Sequence, residues 1–260
     1  VQAGLKVVKA GNWTEFRDAV RDFHAPQQNM VYADVDGNIG FIAPGRIPIR
    51  KPENDLHGLA PAPGWDAKYD WDGYIPFEGL PQSFNPPSGK VVTANNKIVP
   101  DNYPFFITSE WAEPYRAQRI EQLIAARSVH SVESFSQIQA DVRSAMAADL
   151  LPLLLKVPPD SEAATRAVAL LRNWNAAAVA NRPEPLIFEA WMRELSRLIY
   201  ADELGDLFDG AWDLRPLFLF NVLTNHNGES RWCDDISTEP RETCDTIVAR
   251  ALALALADLQ

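Results

Sequence analysis

Basic runs are what this sequence most lacks. Lys and Arg number 24 against 35 Asp and Glu, for a formal net charge of −11 and a pI ≈ 4.8. Proteins that grip a nucleic-acid backbone do so with clustered Lys and Arg. No such cluster occurs, so nucleic acid is not an expected partner. Long apolar runs are missing too. The most apolar segment, residues 247–259, is interrupted by Arg250 and Asp258 and is too short to cross a bilayer, so no membrane contact is expected. Histidine is scarce. His24, His57, His130 and His226 fall at no metal-ligand spacing, and there is no Cys-x-x-Cys, so no metal residue is assigned. The absence of Gly-x-Ser-x-Gly excludes a strand–Ser–helix nucleophile elbow. The opening Val1-Gln2-Ala3-Gly4 has no initiator Met and no charged start before an apolar run. The chain is therefore expected to begin inside a longer polypeptide, with any targeting segment removed or outside it. Cysteine is limited to Cys233 and Cys244, in a polar, proline-containing stretch. They form either a disulfide closing that loop, which suits an exported protein, or two free thiols; the disulfide is the reading taken.

What is present is a globular composition. The 260 residues are 47% hydrophobic and 23% charged, enough for a sizeable core in one large domain or two lobes. Prolines outnumber glycines, 20 to 13, and most lie before residue 105, which predicts rigid extended connections there. Asn12 caps a short helix with Trp13, Phe16, Val20 and Phe23 on one face. Residues 27–34 and 39–43 read as strands around Asp36-Gly37, the strongest hairpin signal in the chain. Residues 52–89 are rich in Pro, Gly, Asp and aromatics, densest at Asp70-Trp71-Asp72-Gly73-Tyr74, and predict a long loop packed down on a surface. Asp70 and Asp72, and likewise Asp234 and Asp235, are read as solvated loop acids rather than a glycosidase pair.

The segment Lys90-Val91-Val92-Thr93-Ala94-Asn95-Asn96-Lys97 is a β-branched run ending in two asparagines. It predicts a strand that either turns at Asn-Asn or presents a carboxamide as a hydrogen-bond donor to a developing oxyanion. Beyond residue 109 the pattern becomes helical. Helices are predicted over 112–126, 131–151, 162–178, 188–200, part of 204–223, and 242–259. The fold class is α+β: a sheet-and-loop part over 1–110, then a mainly helical region over 111–260.

Several short blocks in order give a resemblance. These are Asn29-Met30-Val31-Tyr32-Ala33-Asp34, Gly37-Asn38-Ile39-Gly40, Ala43-Pro44-Gly45, Tyr74-Ile75-Pro76-Phe77-Glu78, Thr93-Ala94-Asn95-Asn96, and Trp111 with Tyr115-Arg116-Ala117-Gln118-Arg119-Ile120. Together they resemble the β-subunit of the penicillin acylase (penicillin amidase) family over residues 10–150, with a looser fit beyond. The family is one of N-terminal-nucleophile hydrolases with an αββα core. The resemblance implies an exported, periplasmic or secreted precursor that cuts itself into two chains. A new N-terminal Ser attacks a linear amide, with its own α-amine as base. It assigns Asn95 as the oxyanion donor, Arg119 as the arginine that positions Asn95 and the substrate, and Gln28 as an acyl-pocket residue. A Gln at a position that is commonly apolar departs from a plain benzyl pocket. Val1 carries no nucleophilic side chain, so the expectation is an internal β-subunit segment without its nucleophile, inactive alone. Its expected partners are the α-chain, the N-terminal part of the β-chain and a small amide substrate. No cofactor is required; one structural calcium is expected in the full-length protein, with ligands mostly outside this chain. The alternative function is a non-catalytic module that binds a glycan or peptide on the aromatic stretch 65–84.

Overall fold

The computed structural model describes residues 1–211 and 213–259, with a mixed α+β architecture in two compact units, Val1–Ala117 and Gln118–Gln260.

The first unit opens with α1 (Gln2–Val7) and α2 (Trp13–Ala19), the latter capped by Asn12, whose side chain accepts from the Glu15 N–H at 3.0 Å. Five short strands follow: β1 (Met30–Ala33), β2 (Ile39–Ile42), β3 (Pro48–Arg50), β4 (Trp71–Tyr74) and β5 (Gln82–Phe84). They form an antiparallel sheet in the order β1-β2-β5 and a separate β3-β4 pair. The β1–β2 hairpin is closed by Asp34. Its Oδ1 accepts the N–H groups of Asp36 (3.0 Å) and Asn38 (2.9 Å), while Gly37 takes the positive φ of 84° that the turn demands. Trp13 of α2 lies over this sheet, 5.5 Å from the Tyr32 ring and 5.3 Å from that of Phe84. It occupies the space above Gly40, where a Cβ would stand 2.5 Å from the indole. Ile47, Ile75 and Leu80 form a small second core, with Phe77 and Phe105 against it.

Two expectations change here. The aromatic stretch does not simply pack down as loop: Trp71–Tyr74 is a strand laddered to β3, and Trp65 (90% exposed) and Trp71 (56%) stand in solvent. Residues 90–97 form no strand. The β-branched residues favour extended backbone, but no strand pairs with them, and the backbone of Ala94 bonds instead to the Asn96 and Arg116 side chains.

Helix α3 (Tyr115–Ala125) starts in the first unit and continues into the second, which holds α4 (Val132–Gln139), α5 (Ala145–Leu154), α6 (Glu162–Arg172), α7 (Glu184–Leu204), α8 (Phe208–Ala211), α9 (Pro216–Leu223) and α10 (Cys244–Asp258). The predicted helix over 131–151 is two helices. Ala140 ends α4, Ser144 caps α5 through the Ala147 N–H at 3.1 Å, and Arg143 between them bridges to Ala177. Helix α6 also ends earlier than predicted, at Arg172 with Asn173 as its C-cap, and Ala177 beyond it takes part in that bridge. Helix α7 is the axis of the second core. Phe188, Trp191, Met192, Leu195 and Ile199 are buried along one stripe against Ile247, Val248, Ala251 and Leu252 of α10. The Trp191 indole N–H donates to the Val248 carbonyl at 3.0 Å, so this buried polar tip is satisfied. Cys233, fully buried, is joined by a disulfide to Cys244 in the first turn of α10.

Candidate active site

The chemistry gathers around Asn95, and the two asparagines divide the work. Asn96 closes the turn: its Oδ1 accepts the Ala94 N–H at 3.1 Å and its Nδ2 donates to the Lys97 carbonyl at 3.1 Å. Asn95 takes φ 63°, a left-handed conformation that Asn tolerates better than most residues. Its carbonyl accepts the Ala112 N–H at 3.0 Å, which ties the turn to the chain just before α3. That tie brings the first turn of α3 to the site. Arg116 Nη2 donates to the Ala94 carbonyl at 2.8 Å and to Asn95 Oδ1 at 2.9 Å. Both hydrogens of that nitrogen are used. Because a guanidinium only donates, the carboxamide atom facing it must be oxygen. The Asn95 NH2 therefore points away from Arg116, and no described residue accepts from it. A rigidly aimed, uncommitted N–H pair is what an oxyanion donor requires.

The segment is held from the other side as well. Asn29 Nδ2, at the entry to β1, donates to Thr93 Oγ1 at 2.6 Å. Gln28, its neighbour, is exposed, and its Nε2 donates to the Gln27 carbonyl at 2.8 Å. Gln28 is thus one residue from a side chain that braces the Asn95 turn.

Arg119 is placed differently from its expected role. It stands about 4.5 Å farther along the α3 axis than Arg116, and its fork is closed on Asp141, with Nε to Oδ1 at 2.9 Å and Nη2 to Oδ2 at 2.7 Å. The arginine on Asn95 is Arg116. Arg116 already stood in the Tyr-Arg-Ala-Gln-Arg-Ile block; the missing signal was which of two arginines, three residues apart, the turn would meet. The Ala112–Asn95 hydrogen bond decides it and has no sequence signature.

Both partners of the Arg119–Asp141 pair are about one-fifth exposed, 22% and 21%. The arginine's hydrogen bonds hold the Asp141 carboxyl below its ordinary range. A carboxyl depressed on folding adds stability above its unfolded pKa and loses it as pH falls through the folded pKa. Asp141→Asn is expected to lower the unfolding free energy at pH 7 by about 1–2 kcal/mol, between the values for exposed and buried charged hydrogen bonds. The deficit should shrink as the pH drops below about 4. Urea unfolding of both proteins at pH 7 and pH 3 checks this.

Of the acids read as loop residues, Asp72 lies instead in strand β4, exposed, whereas Asp234 and Asp235 do serve their loop. Asp234 Oδ1 accepts the Glu242 N–H at 3.0 Å, and Asp235 Oδ1 accepts both the N–H and hydroxyl of Ser237, at 3.0 and 2.6 Å. Among the described residues, no group of three or more His, Cys, Asp or Glu is arranged to hold a metal ion.

Comparison with known proteins gives this arrangement its setting. The penicillin amidase family model matches residues 1–260. The acyl-homoserine lactone acylase QuiP of Pseudomonas aeruginosa is 32% identical over 259 residues, covering 92% of this chain and 30% of that protein. The penicillin acylase 2 proenzyme of Pseudomonas sp. (strain SE83) is 33% identical over 193 residues, covering 74% of this chain and 24% of that protein. Among solved structures, the thermostable penicillin G acylase from Alcaligenes faecalis superposes with a TM-score of 0.76 over 99% of this chain and 50% of that one. At 24% identity it shows the shared fold. The chain thus spans about a third or less of the curated relatives' length. On the match along its whole length, this chain belongs to the penicillin amidase family.

Proposed function

We propose that the full-length protein is an N-terminal-nucleophile amide hydrolase and that this chain supplies its oxyanion donor. The carrying observation is the 2.9 Å hydrogen bond from Arg116 to Asn95 Oδ1, which turns the Asn95 N–H groups outward. The nucleophile, a Ser at a chain start generated by self-cleavage, comes from outside these 260 residues. Its hydroxyl adds to the carbonyl of a linear amide while its own α-amine takes the proton. Negative charge grows on the carbonyl oxygen, and Asn95 Nδ2 donates to it. The amine leaves with the transferred proton, and water hydrolyses the acyl-enzyme.

The amide is the acyl side chain of a β-lactam or another N-acyl compound. Relatives aligned over 92–98% of this chain are named as acyl-homoserine lactone acylases, so N-acyl-homoserine lactones come first among trial substrates. Gln28 is the proposed acyl-pocket residue, supported by the Asn29–Thr93 bond that ties its neighbour to the Asn95 turn. The small sheets belong to a larger αββα core completed by the rest of the precursor, and exposed apolar side chains on their strands, Val31 and Phe84 among them, suit that contact. The Cys233–Cys244 disulfide fits an oxidising compartment, periplasmic or extracellular.

The 260-residue chain alone is expected to hydrolyse neither N-acyl-homoserine lactones nor a phenylacetyl anilide, whereas the self-cleaved full-length protein turns over at least one. Titratable turnover by the purified chain contradicts the assignment of the nucleophile elsewhere. A full-length protein inert to both substrate classes, yet retained on a glycan or peptide array, would favour a binding surface on the exposed Trp65 and Trp71 instead.

A further inference from the structure

Arg50, the last residue of β3, carries a buried guanidinium nitrogen that the chemistry proposed for Asn95 does not use. Its guanidinium makes no hydrogen bond or ion pair to any described residue, and Nη1 is buried without a partner. Five N–H donors with no acceptor are costly in a partly buried place. Yet the surroundings are shaped to keep the group there. The guanidinium carbon lies 5.6 Å from the centroid of the Phe106 ring. Gly58, at φ +82°, has no side chain where a Cβ would stand 2.5 Å from Arg50 Nη2. The His57 imidazole rests on the same Phe106 ring, 5.1 Å between centroids, and its nitrogens make no hydrogen bond to a described residue. Asn54, 4% exposed in the same loop, spends its Oδ1 on the His57 N–H at 2.9 Å. The loop's own acids do not answer this need. Asp55 is taken by Lys68 Nζ at 3.2 Å and the Tyr69 hydroxyl at 3.0 Å, and Glu53 is exposed and makes no bond to a described residue.

We propose that Arg50, with His57 beside it on the Phe106 ring, is a seat for a carboxylate. A carboxylate is planar and acceptor-only, and it matches the guanidinium fork with two parallel hydrogen bonds. A ring against the guanidinium leaves its N–H edge for such a partner. The carboxylate belongs either to an acidic side chain of the longer protein or to a free small acid. The inference does not depend on the role of Asn95.

Acetate is the probe, with acetamide as its neutral counterpart. NMR signals of the Phe106 ring and His57 in this chain should shift saturably with acetate and stay still with acetamide. Arg50→Gln should weaken the acetate response at least tenfold, and Gly58→Ala, which displaces the guanidinium, should weaken it as well. Equal responses to acetate and acetamide, or an unsaturable one, overturn the proposal without any variant. An unchanged response in a folded Arg50→Gln protein overturns it too. In the full-length protein, Arg50 Nε–H signals already at the acetate-bound position and deaf to added acetate identify a side-chain carboxylate. A full acetate titration there identifies a free acid. A full-length protein showing neither behaviour overturns the seat.

Discussion

Replacing Asn95 by Ala in the full-length protein is expected to lower kcat by a hundredfold or more while changing KM little. One side-chain donor aimed at an oxyanion contributes about 3–4 kcal/mol to the transition state and far less to the bound substrate. The geometry supports the upper part of that range. Arg116 fixes the carboxamide's orientation, Asn96 closes the turn beneath it, and Ala112 holds its carbonyl, so the donor needs no reorganisation when charge develops. Asn95→Asp should be no better than Asn95→Ala. An ionised carboxylate has no N–H to give and would repel the oxyanion. Steady-state kinetics on an N-acyl-homoserine lactone or anilide substrate separate the outcomes. A kcat within threefold of the parent for Asn95→Ala would remove Asn95 from the reaction.

The second large effect concerns stability. Cys233→Ala with Cys244→Ala is expected to lower the unfolding free energy by about 2–3 kcal/mol, the closure entropy of a loop of this length. The disulfide fastens the 234–243 loop to the start of α10, whose buried face packs against α7 in the second unit's core. The loop has few other anchors. Ile236 N–H donates to Asp202 Oδ2 at 2.8 Å, and Asp234, Asp235 and Glu242 bond among themselves and to Ser237 and Thr238. The same loss should follow reduction of the unaltered chain, measured as urea unfolding with and without a thiol reductant. Coincident curves would show that the loop's hydrogen bonds hold α10 unaided.

Local chemistry made much of this fold legible in the sequence. Asp36-Gly37 marks its hairpin because Gly accepts the positive φ that the turn needs, and Asn12 marks a helix start because its side chain accepts a first-turn N–H. The buried stripe of α7 was readable from period alone, since Phe188, Trp191, Met192, Leu195 and Ile199 all face inward. What escaped was set by distant partners. Trp71–Tyr74 is a strand because Pro48 and Arg50 lie beside it, not because of its own composition. Residues 91–93 are not one, since no strand lies beside them. Residues 131–151 break into two helices where Arg143 meets Ala177, a contact 34 positions away in sequence. The site shows the same division. Asn95 was singled out by the family resemblance of its Thr-Ala-Asn-Asn block; the local pattern alone read equally as a turn, which Asn96 does close. The arginine on Asn95 was not legible, because Arg116 and Arg119 differ only by position along α3, and Asp141 claims the second.

The most direct test is a double-mutant cycle between Asn95 and Arg116 in the full-length protein, read in kcat. Arg116→Ala alone should cost about tenfold to a hundredfold, the range for losing a hydrogen bond to a charged donor. In the Asn95→Ala background the same substitution should cost less than about twofold, because the arginine acts through the carboxamide it holds. Arg119→Met should leave kcat unchanged in either background. Equal losses from Arg116→Ala with and without Asn95, or a loss from Arg119→Met matching that from Arg116→Ala, would contradict the assignment of Asn95 as an oxyanion donor aimed by Arg116.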